Sequence, residues 1–371
     1  MPRVHVREVT RGPLQPAEGP AGPRLARRVK GIAAEVGGLL VLTPLLPLVL
    51  LVAVVVDAVL WVVRRRKPFM AVRLALYAWW FLFGELRGLL GLLAIWALTG
   101  GPFGRGSLLR RRLVYGLRIH WARSHLGGVR VLFGLTFEVE GLEHATPGNA
   151  IVLIRHASII DNTLADAVIG HAHGLGLRFV LKRELEMLPL IDIGGRWVPV
   201  AFVRRASDDA AGETARLRTL AHDLGPGEAV VIYPEGTRWT PAKLARAQEV
   251  VRERRPDVAP MADRLRYLLP PRLGGPIALL EDAPDADVVL FGHVGLDGFE
   301  YIRDIWRGDL VGGTVRIRLW RFPAAERPAG GPELVEWVYD RWLELDAWIG
   351  EQRADLGLDG GGAAPRARLS A

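Results

Sequence analysis

Between Val36 and Val56 the chain reads VGGLLVLTPLLPLVLLVAVVV, 21 positions without a charge. A helix needs about 20 apolar residues to cross the hydrocarbon core of a bilayer, so this run commits the chain to a fold with a membrane-facing part. Asp57 interrupts the run, which resumes as AVLWVV and stops at Arg64, Arg65, Arg66 and Lys67. Pro44 and Pro47 bend such a helix but are tolerated in a membrane. A second apolar stretch, Leu74 to Gly101, is rich in tryptophan and broken by Glu85 and Arg87. The pair fits a hairpin across the bilayer, or a two-helix anchor in one leaflet with tryptophans at the interface. Two buried core helices of a soluble protein fit these lengths less well. No small-residue cleavage site follows the first run, so the anchor is expected to stay. Basic residues flank that run on both sides, at Arg24, Arg27, Arg28 and Lys30 and at Arg64 to Lys67, so charge does not set the topology. An anchor that enters and leaves on the cytoplasmic face reconciles them.

The 371 residues carry a net charge of +8. Lysine occurs only at positions 30, 67, 182 and 243. The arginine excess fits a coding bias in a chain also rich in Gly and Ala, and no nucleic-acid-binding signature accompanies it, so nucleic acid is not an expected partner. There is no cysteine, which excludes disulfides, thiolate metal sites and a cysteine nucleophile. His120, His125, His171 and His173 lack the His-Glu-x-x-His spacing of a zinc helix, so they read as surface or packing residues and no metal is expected.

From about Arg110 short apolar runs alternate with polar, helix-like segments. Strands are expected at 129 to 141, 150 to 155, 177 to 182, 197 to 203, 229 to 234, 286 to 294 and 313 to 320, and helices near 162 to 171, 183 to 190, 208 to 224 and 241 to 254. Continuous Val/Ile/Leu runs suit strands covered on both faces. The fold class is α/β, a mostly parallel central sheet flanked by helices behind an N-terminal two-helix membrane anchor. The expected organisation is a basic tail at 1–30, the anchor at 31–103, a catalytic body at 110–325, an amphipathic helix at 330–355 and a disordered tail at 356–371. A stripe of Trp337, Trp342 and Trp348 on that last helix reads as a packing or membrane-contact face.

Two elements follow apolar strands and could do chemistry. In RHASIID, His156 and Asp161 are five residues apart across a turn, close enough for the carboxylate to hold one imidazole nitrogen and free the other as a base. The plain alternative is a helix cap at Asp161 with His156 packed at a sheet edge. Ser158 lacks the Gly-x-Ser-x-Gly turn of serine hydrolases and reads as a helix-start hydrogen bond. In PEGTR, the amides around Gly236 and the Arg238 guanidinium could hold an anion, or form a surface turn with a salt-bridged arginine. Open sheets place sites at the C-terminal ends of strands, and both elements lie there.

RHASIID resembles the His-four-residues-Asp block of the membrane-bound glycerolipid acyltransferases, the family that contains lysophosphatidic acid acyltransferase. PEGTR is similar to the family's Glu-Gly-Thr-Arg block. LKRELEMLPLIDIGGRWVPVAFVRR resembles its glycine-to-arginine block, with Gly195 leading to Phe202 and Arg205, and LLPPRLGG resembles the proline block that follows. The four blocks stand in the family's order over roughly 130 to 300. The insert after PEGTR and the closing EWVYDRWLELDAWI resemble the longer branch that includes lysocardiolipin acyltransferases. Arg155 stands where the commoner form has Asn, which makes it a candidate for distinguishing the acceptor.

The resemblance implies transfer of a fatty acyl group from acyl-CoA or acyl carrier protein to the hydroxyl of a lysophospholipid, with no bound cofactor. It implies His156 as general base and Asp161 as its orienting group. Arg205 with Glu235, Gly236, Thr237 and Arg238 would hold the acceptor's phosphate, and Pro271 would shape the acyl or acceptor pocket. Lys182, at a strand end, is a further candidate for an anionic headgroup or carrier. A noncatalytic lipid-binding protein of the same fold is the alternative.

Overall fold

The computed structural model describes residues 20–64, 69–104, 106–146, 148–203 and 210–359. Two long helices come first, α1 (Ala21–Arg64) and α2 (Met70–Leu98). Both are long and apolar enough to cross a membrane by length and composition. Because α1 begins at Ala21, part of the stretch read as a basic tail is already helical; residues 1–19 lie outside the described residues, as do residues 360–371 of the expected C-terminal tail.

Leu40, Leu48, Leu51, Val52, Val55, Val59 and Val62 of α1 are exposed. A soluble protein buries such a row, so α1 is not packed as a core helix. Asp57, the charge that interrupts the apolar run, is buried. Its Oδ1 accepts from the Ala71 amide at 2.9 Å and its Oδ2 from the Val72 amide at 3.0 Å. The first amides of a helix have no partner within it, so α1 caps α2 with this side chain. At the other end of α1, Arg27 and Arg28 reach the buried Asp192 at 3.1 and 2.8 Å, which ties the anchor to the short helix Pro189–Gly194 of the body.

Next comes α3 (Leu108–Phe133), capped by Ser107, whose side chain accepts from the Arg110 amide. It ends at Gly134, whose φ of 67° is left-handed and favours glycine. The strand expected from 129 is therefore shorter. It is β1 (Thr136–Glu140) alone, because residues 129 to 133 complete the helix.

The remaining strands are β2 (Ala150–Ile154), β3 (Gly176–Lys182), β4 (Val200–Val203), β5 (Glu228–Ile232), β6 (Asp287–Val294) and β7 (Thr314–Phe322). They form one sheet in the order β1-β7-β6-β2-β5-β3-β4. Every neighbouring pair is parallel except β6 with β7. On β2, Ile151 and Leu153 pack with Leu217, Leu279, Leu334 and Trp342 on one face. Val152 and Ile154 pack with Phe133 and Leu164 on the other. The strand lies mid-sheet and is buried on both faces, as its unbroken apolar run predicts.

The C-terminal helix Gly331–Asp355 supplies core. Trp342 and Trp348 are buried in it, Trp337 stands edge-on to Phe322 at 5.8 Å, and Trp342 Nε1 donates to the Leu269 carbonyl at 3.0 Å. Its tryptophan stripe is a packing face.

Candidate active site

Because β2, β5 and β6 are adjacent and parallel, their C-terminal ends share one edge of the sheet. His156 emerges from β2, Pro234 to Arg238 from β5, and His293 is the penultimate residue of β6. A short helix, α4 (Asp161–Ala165), starts immediately after the His156 loop.

Asp161 is fully buried at the centre of that loop. Its Oδ2 accepts from the amides of Ala157 and Ser158 at 2.6 and 2.7 Å and stands 3.2 Å from His156 Nδ1. Its Oδ1 accepts from the Ser158 hydroxyl at 2.6 Å. The carboxylate thus closes the loop onto itself and fixes the histidine's Nδ1–H tautomer, leaving Nε2 with no hydrogen bond among the described residues. The Ser158 hydroxyl also accepts from the Ile160 amide at 3.0 Å, so this serine is a helix-start residue. Tyr233 lies beside the imidazole, ring centroids 4.7 Å apart, and its hydroxyl donates to the Asp161 carbonyl at 3.0 Å.

Burial pushes the His156 imidazole below its ordinary range. Asp161 opposes this, and the cations Arg238 and Lys182 add to the depression, which places both within electrostatic reach of the ring. Burial alone would raise the Asp161 carboxyl, but His293 and His156 outweigh it and hold the group well below the usual carboxylate range. His156 is thereby kept neutral, with one lone pair available, beside an ionised aspartate.

Glu235 is placed differently from its expected role. It is buried, with Oε1 accepting from the His156 amide at 2.6 Å and Oε2 from the Leu269 amide at 3.0 Å. Burial pushes it up to about 8, against those amides and Arg155. A carboxyl group facing inward in this way joins the β2, β5 and proline-block loops, and it is not positioned to hold a phosphate. Gly236 takes a φ of 63°, and a Cβ there would stand 2.9 Å from Arg272 Cδ, so the turn requires glycine. Thr237 Oγ1 lies 3.3 Å from Lys243 Nζ. Arg238 donates through Nη1 to the Glu300 carbonyl, while its Nε is a buried donor with no partner among the described residues. Pro271 is buried in a strip whose Arg272 amide donates to the Pro234 carbonyl at 2.9 Å. Lys182 ends β3 and is partly buried. Arg205 lies outside the described residues.

Arg155 is fully buried and cannot touch an acceptor, so it does not distinguish one. Its guanidinium is taken up by the protein interior, donating to the carbonyls of His293 at 2.6 Å and Tyr267 at 3.3 Å and pairing with Asp297. Arg353 of the C-terminal helix also reaches Asp297, at 3.1 Å. Asp346 of the same helix accepts from the amides of Arg266, Tyr267 and Leu268. Sequence reasoning missed these supports. His293 alone carried a readable signal, a polar residue at the end of an apolar strand, as His156 is.

A family model described as Acyltransferase matches residues 136–274. An uncharacterized acyltransferase of Schizosaccharomyces pombe is 22% identical over 195 residues, 48% of this chain and 51% of that protein. The 1-acyl-sn-glycerol-3-phosphate acyltransferase of Pseudomonas aeruginosa is 29% identical over 123 residues, 32% of this chain and 44% of that protein. The chain thus spans about half the length of these relatives. The crystal structure of the 1-acyl-sn-glycerophosphate (LPA) acyltransferase PlsC from Thermotoga maritima is similar with a TM-score of 0.43 and 15% identity, covering 73% of this chain and 99% of that one. The segment that matches the Acyltransferase family model contains both the His156–Asp161 loop and the Pro234–Arg238 turn.

Proposed function

We propose that the protein is a membrane-anchored acyltransferase that moves a fatty acyl group from acyl-CoA or acyl carrier protein to the hydroxyl of a lysophospholipid such as 1-acylglycerol-3-phosphate. The observation that carries this reading is the His156–Asp161 pair, a neutral imidazole tied at Nδ1 and open at Nε2. Nε2 takes the proton of the acceptor hydroxyl as its oxygen attacks the thioester carbonyl. Collapse of the tetrahedral intermediate breaks the C–S bond, and the departing thiolate takes the proton back from the imidazolium. The products are an ester and a free thiol, with no covalent enzyme intermediate. Asp161 stabilises the transient imidazolium.

The acceptor's phosphate meets the Gly236 to Arg238 turn, where the unpartnered Nε of Arg238 supports an anion site. Arg205 and Lys182 supply further positive charge, and Pro271 shapes the pocket wall. Glu235 supports the loops around it. The exposed apolar face of α1 supports membrane residence, and we place the catalytic domain on the cytoplasmic face, where an anchor with basic residues on both flanks would enter and leave. At that interface an amphiphilic acceptor reaches the site without leaving the bilayer.

The test mixes purified protein with lysophosphatidic acid and acyl-CoA and measures free thiol and ester together. Stoichiometric release of both, abolished in folded His156→Ala, is the expected result. Binding of both ligands without thiol release would instead establish the noncatalytic lipid-binding alternative.

A further inference from the structure

His293 is fully buried in β6, the strand that flanks β2 on the side away from β5. Its Nε2 lies 3.2 Å from the Arg155 carbonyl and 3.5 Å from Asp161 Oδ1. Both atoms are acceptors, so Nε2 carries the hydrogen. Nδ1 is buried and has no hydrogen-bond partner among the described residues. Asp161 therefore stands between two imidazoles, with His156 on Oδ2 and His293 facing Oδ1.

The other side-chain and amide donors to Asp161, from His156, Ala157 and Ser158, all belong to the loop it closes. The backbone of the loop is tied to its neighbours, by the His156 amide on Glu235 Oε1, the Tyr233 hydroxyl on the Asp161 carbonyl and the Ile159 amide on the Phe299 carbonyl, but none of these bonds touches the Asp161 carboxylate. His293 is the donor group from another strand, and the Arg155 guanidinium fixes its backbone through the His293 carbonyl. We propose that His293 is a positioning residue for the His156–Asp161 pair, referencing the Asp161 carboxylate, and through it the imidazole, to the central sheet. It does not reach the substrate, and it acts only through Asp161. The inference rests on the acyl-transfer reading of the site.

Three variants test it: His293→Gln, which returns an N–H near the place of Nε2; His293→Asn, which puts one near Nδ1; and His293→Leu, which returns none. Misplacing a reacting group by about 1 Å costs on the order of 10²-fold in rate. Asn and Leu should therefore lose about 10- to 100-fold in kcat with KM unchanged, and Gln should recover most of it. If Leu fails to fold, the Gln against Asn comparison decides. Equal kcat in Gln, Asn and wild type would overturn the inference, as would a loss confined to KM. If His156→Ala abolishes transfer while the His293 variants match wild type, only the inference falls. If wild-type protein transfers no acyl group, the function falls instead. In that case nitrogen-15 imidazole spectra decide the inference, since the His156 Nδ1–H signal should persist in Gln and be lost in Asn. Its survival in both would overturn the proposal without any turnover.

Discussion

At the scale of single residues, the two buried titratable groups around the loop predict opposite pH effects. His156 has its pKa depressed, by burial first. Its stability contribution is complete above the ordinary histidine value of about 6.5 and is lost as pH falls through the lower folded value. As the general base it stays neutral at pH 6.5, so kcat/KM should hold a plateau through that pH and fall only below it. A midpoint at or above 6.5 in a pH–rate profile would contradict the assignment. Glu235 is raised from 4.5 to about 8, so its contribution is complete below 4.5 and lost as pH rises through 8. Glu235→Gln should flatten the alkaline fall of Tm. It should also cost about 1–3 kcal/mol at neutral pH, because the amide nitrogen cannot accept from the His156 or Leu269 N–H. Thermal scans from pH 6 to 9 measure both. His156, Asp161 and the glycine at 236 were legible in sequence because turn chemistry is local. The inward turn of Glu235 was not, since its partner Leu269 lies 34 residues away. The burial of Arg155 was hidden for the same reason, its partners Tyr267 and Asp297 lying 112 and 142 residues on.

Among the elements, β2 and β5 were legible to within a residue or two, since buried parallel strands read as unbroken apolar runs. The helix α3 was missed because its buried face includes Arg110, Arg111 and His125, which mask the helical period. Its signals were Ser107 before it and Gly134 after it. The 183–190 segment, expected as a helix, is a 3₁₀ turn at Arg183–Met187 followed by the helix Pro189–Gly194, because Pro189 starts a new helix at its favoured first position. Two elements depend on carboxylates borrowed from a neighbour. Asp57→Ala should destabilise the α1–α2 pair by about 0.5–2 kcal/mol, the usual cost of a lost helix cap, read as faster proteolysis between the two helices in detergent. Asp346→Ala leaves three backbone amides of the 266–268 strip without their acceptor. At about 1–3 kcal/mol for each donor that stays buried, it should lower Tm and also reduce kcat, since the strip runs directly into Leu269, whose amide holds Glu235.

Across the whole molecule, the apolar outer face of α1 predicts stable binding to lipid vesicles. Leu48→Arg with Val52→Arg should shift the protein out of the floating fraction in vesicle flotation, each charge costing about 2.5–3.5 kcal/mol at the centre of a membrane helix. Retention of the double variant on vesicles would show that α1 does not carry the attachment. The two long apolar helices were legible because length and hydropathy need no partner residue. Its joint with the body was not, because Arg27, Arg28 and Asp192 are brought together only by folding. That joint leaves α1 clasped at both ends, by Asp192 at its start and by the Asp57 cap at its far end. With α1 as the proposed membrane anchor, a helix clasped in this way converts bilayer thickness into the height of His156 above the lipid glycerol. Turnover on one acceptor should therefore vary with the chain length of the surrounding, non-reacting lipid.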